Sequence, residues 1–153
     1  MTKCKLKYVD TKVTFAEIPD EITLCINFSN CPFKCKGCHS DYLQQDVGKE
    51  FNLDVLDTLL KHNRGVTCIC FMGGDNDCYM INYYASVIKA KTSLFTAWYS
   101  GREYIHKDIN LHNFDYIKLG PYKEDLGGLQ STNTNQKLYR IKDITCQMKS
   151  KGE

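Results

Sequence analysis

Four short runs of β-branched, aromatic and other apolar residues each stop at small or polar residues, and this pattern constrains the fold more than any other feature of the chain. Residues 21–28 run into Asn30, residues 66–72 (VTCICFM) into Gly73-Gly74-Asp75, residues 94–99 (LFTAWY) into Ser100-Gly101, and residues 114–119 (FDYIKL) into Gly120-Pro121. Helical patterns lie between them. Residues 52–63 carry Leu53, Leu56, Leu59 and Leu60 at helical spacing, with Asn52 as an N-cap and Gly65 as a stop. Residues 77–91 set Met80, Tyr83, Tyr84, Val87 and Ile88 on one helix face. The alternation predicts α/β units around a parallel sheet. Ligands bind such sheets at the carboxyl ends of the strands, so one rim would collect all four stops.

Residues 5–18 read as a further strand, joined to 21–28 across a Pro19-Asp20 turn. A short helix is expected near Arg102, a long loop over 122–137, a last strand over 138–141 and a frayed tail from Lys142. With 153 residues, one domain and one core are expected. It divides into N-terminal strands over about 5–28, a loop over 29–41, βα units over about 50–141 and a tail over 142–153. Lysines crowd both ends (Lys3, Lys5, Lys7 and Lys12; Lys142, Lys149 and Lys151), yet the net charge is only +2 and acidic residues are interspersed. No basic stripe suggests nucleic acid. No apolar run is long enough to span a membrane, and MTKCKLKYVD lacks the apolar core of a signal peptide. A cytoplasmic location is expected.

Nine cysteines is a high count: Cys4, Cys25, Cys31, Cys35, Cys38, Cys68, Cys70, Cys78 and Cys146. The number is odd and three are bunched, which favours a reduced compartment with a metal or cluster site over a disulfide framework. Cys31-Pro-Phe-Lys-Cys35-Lys-Gly-Cys38 spaces three thiols so that one loop can wrap them around a compact cluster. Iron–sulfur clusters normally take four thiolates. With three, one iron keeps an open position, as catalytic metal sites do. Structural zinc is the competing reading, with Cys35 and Cys38 as one pair assisted by Cys31 or His39, but no good second pair follows. His39, directly beside Cys38, reads as lining the site. Cys25, Cys68 and Cys70 lie in apolar strands, where cysteine packs as a small hydrophobe. Nothing near Cys78 or Cys146 argues for reactivity.

The C-x3-C-x2-C spacing directly after a strand resembles the signature of the radical S-adenosylmethionine superfamily. The resemblance implies a 4Fe-4S cluster on Cys31, Cys35 and Cys38, with the fourth iron chelated by the amino and carboxylate groups of S-adenosylmethionine. Gly37, where the superfamily commonly has an aromatic residue, is similar to the activating proteins of anaerobic ribonucleoside-triphosphate reductase. So are Cys38-His39-Ser40 with Asp41-Tyr42-Leu43, the stretch from Phe114 to Tyr122, Gly127-Gly128-Leu129 and Thr134-Asn135-Gln136. The likeness runs from about residue 13 to about residue 141. It implies a shortened, partial (βα) barrel in a single α/β domain.

Gly73-Gly74-Asp75 is similar to the superfamily's Gly-Gly-Glu motif, whose backbone and carboxylate hold the amino group of S-adenosylmethionine. The glycines allow close backbone approach and the acid gives a charge-assisted hydrogen bond. The plainer reading is a strand-to-helix turn with Asp75 capping the next helix. Asn76 departs from the proline often found there. Gly37, Cys38 and His39 are expected beside the cofactor. Ser100 sits where the superfamily often contacts the ribose or carboxylate, and Lys118 where related activases place a polar contact; a turn serine and an exposed strand lysine explain them nearly as well. The implied reaction is reductive cleavage of S-adenosylmethionine to a 5′-deoxyadenosyl radical, which takes hydrogen from a glycine of the reductase's glycyl-radical subunit. A flavodoxin-type protein is the implied electron donor. The rivals are another small radical enzyme, such as a pyruvate formate-lyase-type activase or a 7-carboxy-7-deazaguanine synthase, and a non-catalytic zinc or iron–sulfur module.

Overall fold

A computed structural model describes residues 6–33, 41–129 and 131–144 of the chain. Seven strands form one open mixed sheet: β1 (Lys7–Thr14), β2 (Thr23–Phe28), β3 (Lys49–Glu50), β4 (Cys68–Met72), β5 (Phe95–Tyr99), β6 (Tyr116–Leu119) and β7 (Lys137–Arg140), in the order β3-β1-β2-β4-β5-β6-β7. The central four, β2, β4, β5 and β6, are parallel. β1, β3 and β7 add antiparallel flanks. The sheet is mixed rather than wholly parallel because β1 returns into β2 through a hairpin, while β3 and β7 come back antiparallel at the two edges after long connections. At Ile18-Pro19-Asp20-Glu21, Glu21 N–H donates to the Ile18 carbonyl at 3.2 Å and Asp20 takes φ 65°, a type II geometry with Pro in its favoured place.

Two helices cross between parallel strands, α1 (Leu53–His62) and α2 (Cys78–Lys91). Asn52 caps α1, accepting from Val55 N–H, and Asp77 caps α2, accepting from Met80 N–H. The expected helix near Arg102 does not form. Arg102 is held instead to Asp75 and Gly120, Ile105 and Ile109 pack on the core from an irregular connection, and the β5–β6 link carries only a short 3-10 turn, Leu111–Asn113. The buried stripe of α2 is also rotated from the expected face. It runs through Ile81, Tyr84, Ala85 and Ile88, while Tyr83 stands 39% exposed and Met80 and Val87 lie at the stripe's margins.

The two faces of the sheet differ. Leu24, Ile26, Phe28, Ile69, Phe71, Trp98 and Ile117 point to the helices and pack with Leu56, Ile81, Tyr84 and Ile88. Side chains alternate across a strand. The opposite face therefore carries Cys25, Cys68, Cys70, Ala97 and Tyr99, packed with Ile18 and flanked by Met72, Tyr116, Leu129 and Leu138. Beyond β6 the loop folds over this second face: Gln136 Nε2 donates to the Gly120 carbonyl and Asn135 Nδ2 to that of Pro121. Among the described residues no helix is long and apolar enough to cross a membrane.

Candidate functional site

The carboxyl ends of β2, β4, β5 and β6 open onto one cavity of about 390 Å³. That volume lies within the ~300–1,000 Å³ common for small-molecule sites. Cys31, Gly73, Asp75, Gly101 and Lys118 all line it, so the strand-end rim read from the sequence is one physical site. Its apolar wall includes Phe28, Phe33, Leu43, Met72 and Leu129. Tyr122, Gly128 and Gln136 supply the wall from the loop beyond β6.

Cys31 stands at the neck of a loop. Asn30, at φ 59°, turns the chain out of β2; Asn tolerates this left-handed conformation better than most residues. Its N–H donates to the Gln45 carbonyl at 3.1 Å, and Cys31 N–H donates to that of Leu43 at 2.9 Å. Asn30 Nδ2 also donates to Asp46, which pairs with Lys7 at 2.7 Å. The neck is therefore fixed on both sides. Cys31 itself is a half-buried free thiol. Cys35, Gly37, Cys38 and His39 lie outside the described residues. Among the described residues no three His, Cys, Asp or Glu side chains are grouped to hold a metal ion.

Cys4 and Cys146 also lie outside the described residues. Cys25, Cys68 and Cys70 are buried in strands, and burial pushes the Cys68 thiol up to about 12 and that of Cys70 well above its usual range. A thiol so raised is neither a thiolate ligand nor a nucleophile. Cys78, buried at the start of α2, is raised by burial and by the Asp75 charge.

Gly73 and Gly74 both take positive φ, 92° and 83°. Gly73 N–H donates to the Tyr99 carbonyl at 2.9 Å, and its own carbonyl accepts from Trp98 Nε1 at 2.7 Å. That carbonyl keeps a second lone pair. A Cβ at Gly74 would come within 2.5 Å of Ile81 Cδ1, so the turn needs glycine there for space as well as conformation. Asp75 is 4% exposed and does not cap α2, a role that Asp77 fills. Its carboxylate accepts from Ser100 Oγ at 2.5 Å and from Gly101 N–H at 3.0 Å. Arg102 Nε stands 3.6 Å from Asp75 Oδ1, and an Arg102 Nη donates to the Asp75 carbonyl at 3.1 Å. Ser100 is thus a buried partner of Asp75. Sequence reasoning missed Arg102 and Phe33 altogether, because their partners lie far along the chain.

Burial raises the Asp75 carboxyl above its usual range, against the lowering pull of Ser100, Gly101, Arg102 and Lys118. A raised carboxyl holds its proton longer in the folded chain than in the unfolded one. Stability should therefore fall as pH rises from about 3.8, the free value, through the raised one. Urea midpoints across that range should show the slope, and Asp75→Ala should flatten it; an unchanged slope in the variant would assign it to other groups.

On the same cavity Lys118 Nζ lies 5.4 Å from the centre of the Tyr99 ring. Tyr99 OH donates to the Glu17 carbonyl at 2.7 Å, and burial holds its phenol far above the usual range. A buried carboxylate, a lysine ammonium, an aromatic and aliphatic wall and a thiol at the lip thus meet on one cavity, a set that can pair with both charges of a zwitterionic ligand. No family model, no curated protein and no solved structure matches the chain.

Proposed function

We propose that this chain is a radical S-adenosylmethionine activase on a partial βα barrel, which generates a glycyl radical on anaerobic ribonucleoside-triphosphate reductase. The observation that carries the reading is the meeting of Cys31, first of the three spaced cysteines, with Gly73, Asp75 and Lys118 on one cavity. Cys31, Cys35 and Cys38 would hold a 4Fe-4S cluster, with Gly37 and His39 beside it. The cluster with bound S-adenosylmethionine supplies one-electron cleavage of the sulfonium and a carbon radical. Asp75 and the second lone pair of the Gly73 carbonyl would accept from the N–H groups of the ligand's amino nitrogen. Lys118 faces its carboxylate. The apolar wall excludes water from the reacting end. Ser100 acts on the ligand through Asp75, by holding its carboxylate. The work is cytoplasmic, with a flavodoxin-type donor and neither nucleic acid nor membrane as partner. The stretch from Tyr122 to Lys137 borders the opening and is the surface offered to the reductase.

Anaerobic reconstitution with iron and sulfide, followed by addition of S-adenosylmethionine, a reductant and the reductase, tests this directly. A doublet glycyl-radical signal in electron paramagnetic resonance is expected. Iron incorporation without cleavage of S-adenosylmethionine would leave a non-catalytic module instead. Within the same experiment, Asp75→Ala should weaken S-adenosylmethionine binding about ten- to hundredfold, the loss of one charged hydrogen bond. Its iron content should not change. Normal binding by Asp75→Ala would remove Asp75 from the ligand site.

A further inference from the structure

Gly101 is glycine for a reason other than backbone freedom or contact with a cofactor. Its φ is not in the left-handed region. A Cβ built there would lie 2.6 Å from Cδ2 and 2.9 Å from Cε2 of Phe33, a contact no real side chain makes. Phe33 thus occupies the notch that the missing side chain leaves. The Arg102 guanidinium faces the same ring, with Cζ 5.8 Å from its centre, within cation–π range. Arg102 is itself anchored. Its N–H donates to Ser100 Oγ at 3.0 Å, its carbonyl accepts from Gly120 N–H at 2.7 Å, and its side chain reaches Asp75. One tripeptide, Ser100-Gly101-Arg102, therefore grips the Asp75 turn on one side and Phe33 on the other.

Phe33 lies midway between Cys31 and Cys35 in sequence. The neck hydrogen bonds of Asn30 and Cys31 fix where the loop leaves the sheet, but not the direction of the limb that follows. We propose that Phe33, seated against Gly101 and Arg102, sets that limb against the Asp75 turn, making Phe33, Gly101 and Arg102 positioning residues for the cysteine loop. The proposal rests on the reading of that loop as the cluster carrier. Groups that orient metal ligands without touching the metal govern how tightly it is held.

The test uses the full chain with Phe33→Ala, Phe33→Tyr, Gly101→Ala and Arg102→Ala. Iron release to a chelator is followed after reconstitution. Iodoacetamide labelling of Cys31 is followed by peptide mass spectrometry in the cluster-free chain, together with its thermal unfolding. Phe33→Ala and Gly101→Ala should lose iron about 10–100-fold faster than the intact chain. They should also label Cys31 faster, whereas Phe33→Tyr, which keeps the ring, should match the intact chain in both. Unchanged labelling and iron retention in Phe33→Ala would overturn the proposal. So would losses that follow the melting temperature alone and are not rescued by Phe33→Tyr. If the intact chain takes up no iron, the cluster reading fails, and the labelling rates alone decide whether the clamp exists.

Discussion

Cys31→Ala, Cys35→Ala and Cys38→Ala should each abolish the iron–sulfur absorbance of the reconstituted protein and all cleavage of S-adenosylmethionine, while Cys68→Ala and Cys70→Ala keep both. The contrast follows from where the thiols sit. Three thiolates are the fewest that leave one open iron on a four-iron cluster, so the loss of any one leaves two irons without protein ligands. Cys31 lines the cavity at the end of β2, on a neck fixed by two backbone hydrogen bonds. Cys68 and Cys70 are fully buried within β4, with thiols raised by burial, and serve as packing. Removing either sulfur should cost roughly 1 kcal/mol, as for other small deletions in a core. Iron and acid-labile sulfide per chain, with urea midpoints, check both halves. Full loading in Cys35→Ala would sink the ligand assignment.

Much of the fold was legible because local signals agreed. Pro19-Asp20 marked a hairpin that forms as β1 and β2, and Asn52 capped the helix it preceded. Glycine and serine stops marked strand ends, which a parallel sheet then gathers on one rim. The face of α2 was misread for a physical reason. Tyr83 and Tyr84 are adjacent and equally apolar, and only the position of the sheet decides that Tyr84 turns inward, donating to the Phe51 carbonyl. The missing helix near Arg102 has a similar cause. Arg102 is drawn to Asp75 and Gly120, contacts 27 and 18 residues away that no local pattern encodes.

The site was legible as a set of positions and less so as a set of partnerships. Gly73, Asp75 and Lys118 line the cavity, whereas Gly74 packs against Ile81, Ser100 serves Asp75 and Gly101 makes room for Phe33. A buried carboxylate needs several donors. A Ser-Gly-Arg sequence closing the neighbouring strand could have suggested them, since it offers a hydroxyl, an unobstructed amide and a guanidinium in succession. Gly127 and Gly128 also separate. Gly127 has φ 79° and a Cβ there would meet Ser131 at 2.7 Å, whereas Gly128 has ordinary backbone and room for a methyl group. Only Gly127 is needed for the shape of the loop.

Trp98→Ala should be the most destabilising single core change in the chain, and it should reach the site. Trp98 is fully buried near the carboxyl end of β5, stacks at a tilt on Phe114 with ring centres 6.1 Å apart, and donates from Nε1 to the Gly73 carbonyl at 2.7 Å. Truncating a buried tryptophan costs about 3–5 kcal/mol. That is a large share of the ~5–15 kcal/mol that holds a typical domain together. Trp98→Phe separates the two contributions. It keeps most of the packing but leaves the Gly73 carbonyl without its donor, at roughly 1–3 kcal/mol. Gly73 opens the turn that carries Asp75, and among the described residues its other hydrogen bond to β5 runs from its N–H to the Tyr99 carbonyl. Trp98→Phe should therefore weaken S-adenosylmethionine binding beyond what its stability loss explains, with the chain still fully folded at the temperature of the assay. Urea unfolding, with a shifted midpoint at constant slope, gives the stability of each variant. Calorimetric titration of the ligand into the reconstituted protein gives the second number. If Trp98→Phe binds like the intact chain, the indole hydrogen bond belongs to the core alone, and the Gly73 turn is held by its backbone.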